Sequence, residues 1–237
     1  MSYNNGPRIV TNGLVLLLDA GNTKSYPGSG NTWFDLSGNN NHFNIVSTAY
    51  NSSGKYMDFR GSHGCAKNSS NINLSDTNGV TYVVWTRVLN STSSWRTLTR
   101  AYNPGDHHVI IQNGAWNIGM YDNNANVFIG TNFSQQNLPG NGTNQWICMH
   151  WRWQNISPYY EFSYNDTPNI IRGSLTDIRS RYERGFGAIG GFHNENTNPS
   201  SALQFWGDIA IFQCYNRRLT NAEILQNYNA TKGRFNL

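Results

Sequence analysis

The segment Trp206-Gly-Asp-Ile-Ala-Ile-Phe-Gln-Cys-Tyr215 carries apolar side chains at most of its positions. In an extended chain Ile209 and Ile211 face one way and Ala210, Phe212 and Cys214 the other, so the pattern predicts a strand covered on both sides. Thr220 and Glu223 follow as a capping box, with Leu219 and Ile224 at the two positions of a hydrophobic staple, which starts a short helix. Ile224, Leu225 and Tyr228 form its expected apolar face, and Gly233 its expected stop.

Strand-like patterns recur upstream. Residues 14–18 read as a strand apolar on both faces, and 22–41 as a Gly- and Asn-rich loop that Trp33 and Leu36 anchor. In 80–88, Val80, Tyr82, Val84 and Val88 oppose Val83 and Trp85; in 146–153, Trp146, Cys148 and His150 oppose Ile147, Met149 and Trp151. Asn113-Gly114 between 109–112 and 115–121 predicts a hairpin, because Asn-Gly supplies the positive backbone angles of a type I′ turn. Further strands are expected at 95–100, 127–130, 160–165, 186–192 and 203–215. Trp85, Trp146, Trp151 and Trp206 are assigned to the core.

At 237 residues the chain is long enough for one sizeable core, and a single domain over 1–237 is expected. Charged residues make up 13% and aromatics 14%, a balance that suits many short strands joined by tight turns. The net charge of +4 comes mainly from arginine, with lysine only at Lys24, Lys55, Lys67 and Lys232. That distribution argues against direct nucleic-acid binding and for a specific contact. Arg172, Arg179, Arg181 and Arg184 are the candidate protein interface, since guanidinium groups pair bidentately with carboxylates; local pairing to Asp177 and Glu183 is the competing reading. Cys65, Cys148 and Cys214 have no metal-binding spacing. The start of the sequence shows no secretory pattern, and no apolar run reaches the length of a membrane span.

Catalytic motifs are sparse. No Glu-x-Asp-x-x-Glu or Glu-x-x-Glu run occurs, Glu161 and Asp166 are too far apart to form a dyad, and no Gly-x-Ser-x-Gly elbow appears. Asp106, His107 and His108 read as a hydrogen-bonded turn rather than a metal site. The expectation is therefore a non-enzyme with no catalytic residue and no required cofactor. Glycan recognition needs an aromatic plate beside amide or carboxylate groups, and Trp33, Trp95, Trp116, Tyr159 and Tyr160 near Asn-rich loops supply that combination.

Several segments resemble laminin-G-like domains of the concanavalin A-like superfamily. They are Gly13-Leu-Val-Leu-Leu-Leu-Asp19, Asp35-Leu-Ser-Gly-Asn-Asn-Asn-His42, Lys55-Tyr-Met-Asp-Phe-Arg-Gly61, Thr81-Tyr-Val-Val-Trp85, Glu161-Phe-Ser-Tyr-Asn165 and the closing Arg218-Leu-Thr with its helix. The resemblance implies an all-β jelly-roll sandwich of two antiparallel sheets with a short C-terminal helix. It also implies a rim site where calcium could bind, with Asp19, Asp35, Asp58 and Asp208 at the matching positions. Two departures stand out: Arg60 replaces an acidic residue and Asp166 a glycine. The opening block around Lys24-Ser-Tyr-Pro-Gly and the ending Asn-Tyr-Asn-Ala-Thr-Lys-Gly-Arg-Phe look most like virion proteins of tailed bacteriophages, cyanophages included. On that likeness the protein is expected to be made in a host cytoplasm and carried on the virion as capsid decoration or as a tail or fibre component. Other virion proteins, further copies of itself and host-surface glycans are its expected partners, and a membrane is not. The alternatives are a stand-alone lectin or adhesin and, third, a glycoside hydrolase.

Overall fold

The computed structural model describes residues 7–60, 64–74, 79–88, 95–100, 107–112, 117–122, 127–130, 145–154, 160–166, 171–173, 185–190 and 205–237. Two antiparallel sheets face each other, as the resemblance to laminin-G-like domains implies. The first runs in the order β14 (Ile171–Gly173), β13 (Tyr160–Tyr164), β12 (Ile147–Gln154), β7 (Gly79–Val88), β16 (Gly207–Tyr215), β5 (Tyr56–Asp58) and β4 (Ala49–Asn51), and β1 (Leu14–Asp19) also pairs with β16. The second runs β11 (Val127–Gly130), β10 (Asn117–Asp122), β9 (His107–Gln112), β8 (Trp95–Arg100), β15 (Phe186–Gly190), β6 (Cys65–Ile72), β3 (Phe43–Val46) and β2 (Thr32–Trp33). The chain is a β-sandwich of jelly-roll type, closed by helix α1 (Asn221–Thr231) and a 3-10 turn over Lys232–Phe235. Among the described residues no helix is long and apolar enough to cross a membrane.

Two cores result. Tyr82 and Val84 of β7, Met149 and Trp151 of β12, and Phe212 of β16 pack with Leu98, Val109, Phe186 and Ile189 of the opposite sheet. On the outer face of the first sheet, Val83, Trp85, Cys148 and Tyr215 pack under Ile224 and Tyr228 of α1. This double coverage is why β16 is apolar at nearly every position. Its facing nevertheless departs from strict alternation. Ile209 joins the inner core while Ala210 and Ile211 join the outer one, because the pairing register slips between Ile209 and Ile211, and a bulge turns the strand by one residue.

Other local expectations shift in similar ways. Gln112 pairs with Asn117, so the connection between β9 and β10 is four residues long instead of the two expected at Asn113-Gly114. The capping box of α1 forms, with Thr220 Oγ1 accepting from the Glu223 amide and Glu223 Oε2 accepting from the Thr220 amide. Hydrogen bonds from Arg217 pull the Glu223 carboxyl down to about 2. Leu225 stays 44% exposed rather than lying on the body. Asn227 takes the buried position, accepting from the Val10 amide at 2.8 Å and donating to the Tyr215 hydroxyl at 3.0 Å. The helix does not stop at Gly233: the 3-10 turn runs through it, and Asn236 takes the left-handed conformation at φ 59°.

The Asp35–His42 loop has a defined physical task. On the side away from β16, Leu14, Val15 and Leu17 of β1 would present bare backbone groups, and the loop's side chains satisfy them. Asp35 Oδ1 accepts from the Leu17 amide at 2.9 Å, Asn39 Nδ2 donates to Leu14 O at 3.1 Å, and Asn41 Nδ2 donates to Val15 O at 2.8 Å. Asp35 also accepts from the amides of Ser37 and Asn41. Asp35→Ala should therefore destabilise the fold by about 2 kcal/mol through stranded amides, seen as a lower denaturant midpoint with an unchanged slope.

Candidate functional site

The structure separates the aromatic residues proposed for glycan contact. Trp33 is 0% exposed in the inner core, which corrects its assignment to a sugar-facing plate and supports its assignment as a loop anchor. Alternation along β2 and beyond puts Trp33 inside and the next residue, Phe34, outside at 38% exposure. The backbones of Trp95 and Tyr160 lie on β8 and β13, whereas Trp116 and Tyr159 fall outside the described residues. Arg172 sits on β14 opposite Glu161, and Arg179, Arg181 and Arg184 fall outside the described residues.

The four aspartates do not gather into one calcium set, and among the described residues no three His, Cys, Asp or Glu side chains converge on a metal position. Asp35 is enclosed by the amides it caps. Asp19 accepts from the Gly21 amide at 2.8 Å and pairs with Arg234. Only Asp58 and Asp208 come together, as cross-strand partners on β5 and β16. Their counter-charges are arginines: Arg60 pairs with Asp58 and reaches to 3.6 Å from Asp208 Oδ1, and Arg87 Nε donates to Asp208 Oδ2 at 2.9 Å. With guanidinium groups on both carboxylates, the donor set does not fit calcium.

These charges form a row on the outer face of the first sheet, beside the helix-covered core. Arg87 of β7 is the register partner of Asp208, and the neighbouring pair Thr86–Ile147 brings Trp146 alongside. The Arg87 guanidinium carbon lies 4.7 Å from the centre of the Tyr56 ring and 4.8 Å from that of Trp146. The two rings meet edge to face at 5.5 Å. Both rings are half-buried, and the Arg60 side chain is 39% exposed. The expected core position of Trp146 is thus corrected: it is only half-buried, packed against the rim of the helix-covered core with its ring 5.1 Å from that of Phe235. Sequence reading missed Tyr56, Arg60 and Arg87 as site residues; the signals available were Arg60 in an acidic position and an arginine two residues after Trp85.

The electrostatics of the row are unequal. Asp58 is partly desolvated, which raises its titration, but hydrogen bonds from the Arg60 side chain and backbone outweigh this and hold it below the ordinary aspartate range. Asp208 has no exposed side-chain surface, and desolvation keeps it above that range despite the hydrogen bond from Arg87. Asp208 Oδ1 is buried and receives no hydrogen bond among the described residues. A half-exposed guanidinium held by two carboxylates, with two aromatic rings beside it, can donate to ligand hydroxyls while the rings cover an apolar ligand face.

No protein-family model matches this chain, and none of the curated proteins compared with it does. Solved structures share its fold. Trypanosoma rangeli sialidase in complex with sialic acid superposes with a TM-score of 0.63 at 10% identity, over 98% of this chain and 36% of the sialidase. A mutant of that sialidase displaying trans-sialidase activity gives 0.64 at 12%, over 95% and 34%. The binding domain of Paraclostridial Mosquitocidal Protein 1 gives 0.62 at 16%, over 93% and 52%. The chain spans about a third of the sialidases' length and about half of the mosquitocidal protein domain's. At these identities the likeness is one of fold alone, a β-sandwich. It also corrects the expectation of a non-enzyme, because the solved structures that share this fold include sialidases, one of them displaying trans-sialidase activity.

Proposed function

We propose that the protein is a carbohydrate-binding β-sandwich module displayed on the particle of a tailed bacteriophage. The observation that carries the binding half is the half-exposed Arg60 guanidinium, paired with Asp58 and 3.6 Å from the buried Asp208, beside the half-buried rings of Tyr56 and Trp146. Planar charged pairs recognise sugar hydroxyls in fixed directions, while aromatic rings take the C–H face. The fold supports this reading, since a neighbour is a sialidase captured with sialic acid. The virion half rests on the opening and closing segments of the sequence, with the arginines of 172–184 as the surface for attachment to capsid or tail proteins.

A glycan array carrying sialylated and neutral sugars is expected to show saturable binding by the full chain. Trp146→Ala should weaken it by about tenfold, the equivalent of one aromatic contact, with the fold monitored by circular dichroism. An empty array would remove the reading. Immunogold labelling of purified virions tests the location, and gold confined to free protein would exclude display on the particle. A second reading, hydrolysis of the bound glycan, is favoured by the opposite displacement of Asp58 and Asp208. Sugar release by the wild type, lost in Asp208→Asn, is the result that would support it.

A further inference from the structure

We infer that the loop spanning Phe34 to His42 is a second sugar subsite, one that takes a neutral pyranose through an apolar ring face and adjacent hydroxyls. Phe34 is one of few large apolar side chains exposed among the described residues, at 38%, and its ring meets His42 edge to face at 5.2 Å. The Asp35 amide donates to His42 Nδ1 at 3.0 Å, so the neutral imidazole carries its proton on Nε2, as a donor. Asn39 and Asn41 commit their Nδ2 groups to the backbone of β1, which leaves their Oδ1 atoms as acceptors. A ring plate, one donor and two acceptors are thereby set in a single loop.

Rigidity makes this more than a polar surface loop. Asp35 fixes the backbone at Leu17, Ser37 and Asn41, and Ser37 Oγ accepts from Asn39 Nδ2 at 2.9 Å, so little ordering is left to occur on binding. Gly38, at φ 92°, has no atom within 4 Å of where a Cβ would sit, so the loop's outer side is open. The groups carry no formal charge outside the enclosed Asp35, which is why the ligand is a neutral sugar rather than an acidic one. Leu16, beside the loop, pairs with Cys214, six residues along β16 from Asp208. The two subsites are therefore roughly 20 Å apart along that strand, a spacing that requires separate residues of one oligosaccharide or two glycans.

The subsite rests on the proposed glycan-binding role. Its test is the affinity of the full chain, and of Phe34→Ala, Phe34→Trp and Trp146→Ala, for neutral oligosaccharides found on the array. Phe34→Ala is expected to weaken binding about tenfold, with Phe34→Trp retaining it. Unchanged affinity in Phe34→Ala with loss in Trp146→Ala would overturn the second subsite alone. Loss in Phe34→Ala with none in Trp146→Ala would support it while overturning the outer-face row. No binding by the wild type to any neutral or sialylated glycan would overturn both.

Discussion

Glu161→Gln is expected to lower the stability of the sandwich by about 3–5 kcal/mol, the largest effect predicted for a single-atom-scale change in this chain. Glu161 lies on β13 directly opposite Arg152 of β12, and their side chains are 2% and 1% exposed with an N–O separation of 3.2 Å. Arg218 pairs with the same carboxylate from the segment leading into α1. Arg152 in turn donates through Nη1 to Leu219 O at 3.1 Å and to Asn221 Oδ1 at 2.7 Å, at the start of that helix. Neutralising Glu161 leaves the Arg152 guanidinium buried without its countercharge. Nearby His150 does not add to the positive charge, because burial, and then Arg152, pushes its titration down to about 3. Urea denaturation of Glu161→Gln, Arg152→Met and the double variant measures the coupling. The double variant should recover part of the single loss, since it removes both charges together. A single-variant change within about 0.5 kcal/mol of wild type, the level of ordinary surface substitutions, would contradict the account.

Trp85→Ala is expected to cost a similar amount, about 3–5 kcal/mol, but through packing. The indole has no exposed surface; it stacks on Phe235 at 4.0 Å and on Tyr228 at 5.7 Å, and donates to Thr231 Oγ1 at 2.7 Å. Three residues of the C-terminal segment therefore depend on one side chain. Trp85→Phe keeps most of the apolar surface and loses the N–H, so it should cost much less, with about 1 kcal/mol attributable to the hydrogen bond. Limited proteolysis distinguishes the two variants further. The alanine variant should be cut within 221–237 before the sheets open, and the phenylalanine variant should resist. Equal resistance would show that α1 is held without Trp85.

Much of the architecture is legible from residue order. The inward faces of β7 and β12 follow from alternation, and the α1 start follows from Thr220, Glu223 and the flanking Leu219 and Ile224. The errors are equally specific. A bulge is a one-residue change in register that apolar periodicity cannot encode when both faces are apolar, so Ile209 and Ile211, expected on one face, lie on opposite faces. The sequence pattern suits Trp33 both to anchoring the loop and to a sugar plate; burial leaves it only the first, and its neighbour Phe34 holds the exposed position.

What the sequence alone determined is local: which segments extend, which faces are apolar, where the helix begins, and that the loop after Asp35 carries a set of hydrogen-bonding side chains in tight order. Those properties depend on neighbours within a few residues. Tertiary structure decided the pairing of Asp58 with Asp208, the placing of Arg60 and Arg87 on them, the contact of Tyr56 with Trp146, and the role of Asn39 and Asn41 as caps for β1. These contacts join strands separated by long stretches of chain. Whether a carboxylate meets an arginine, an amide or a ligand depends on which strand the fold lays beside it.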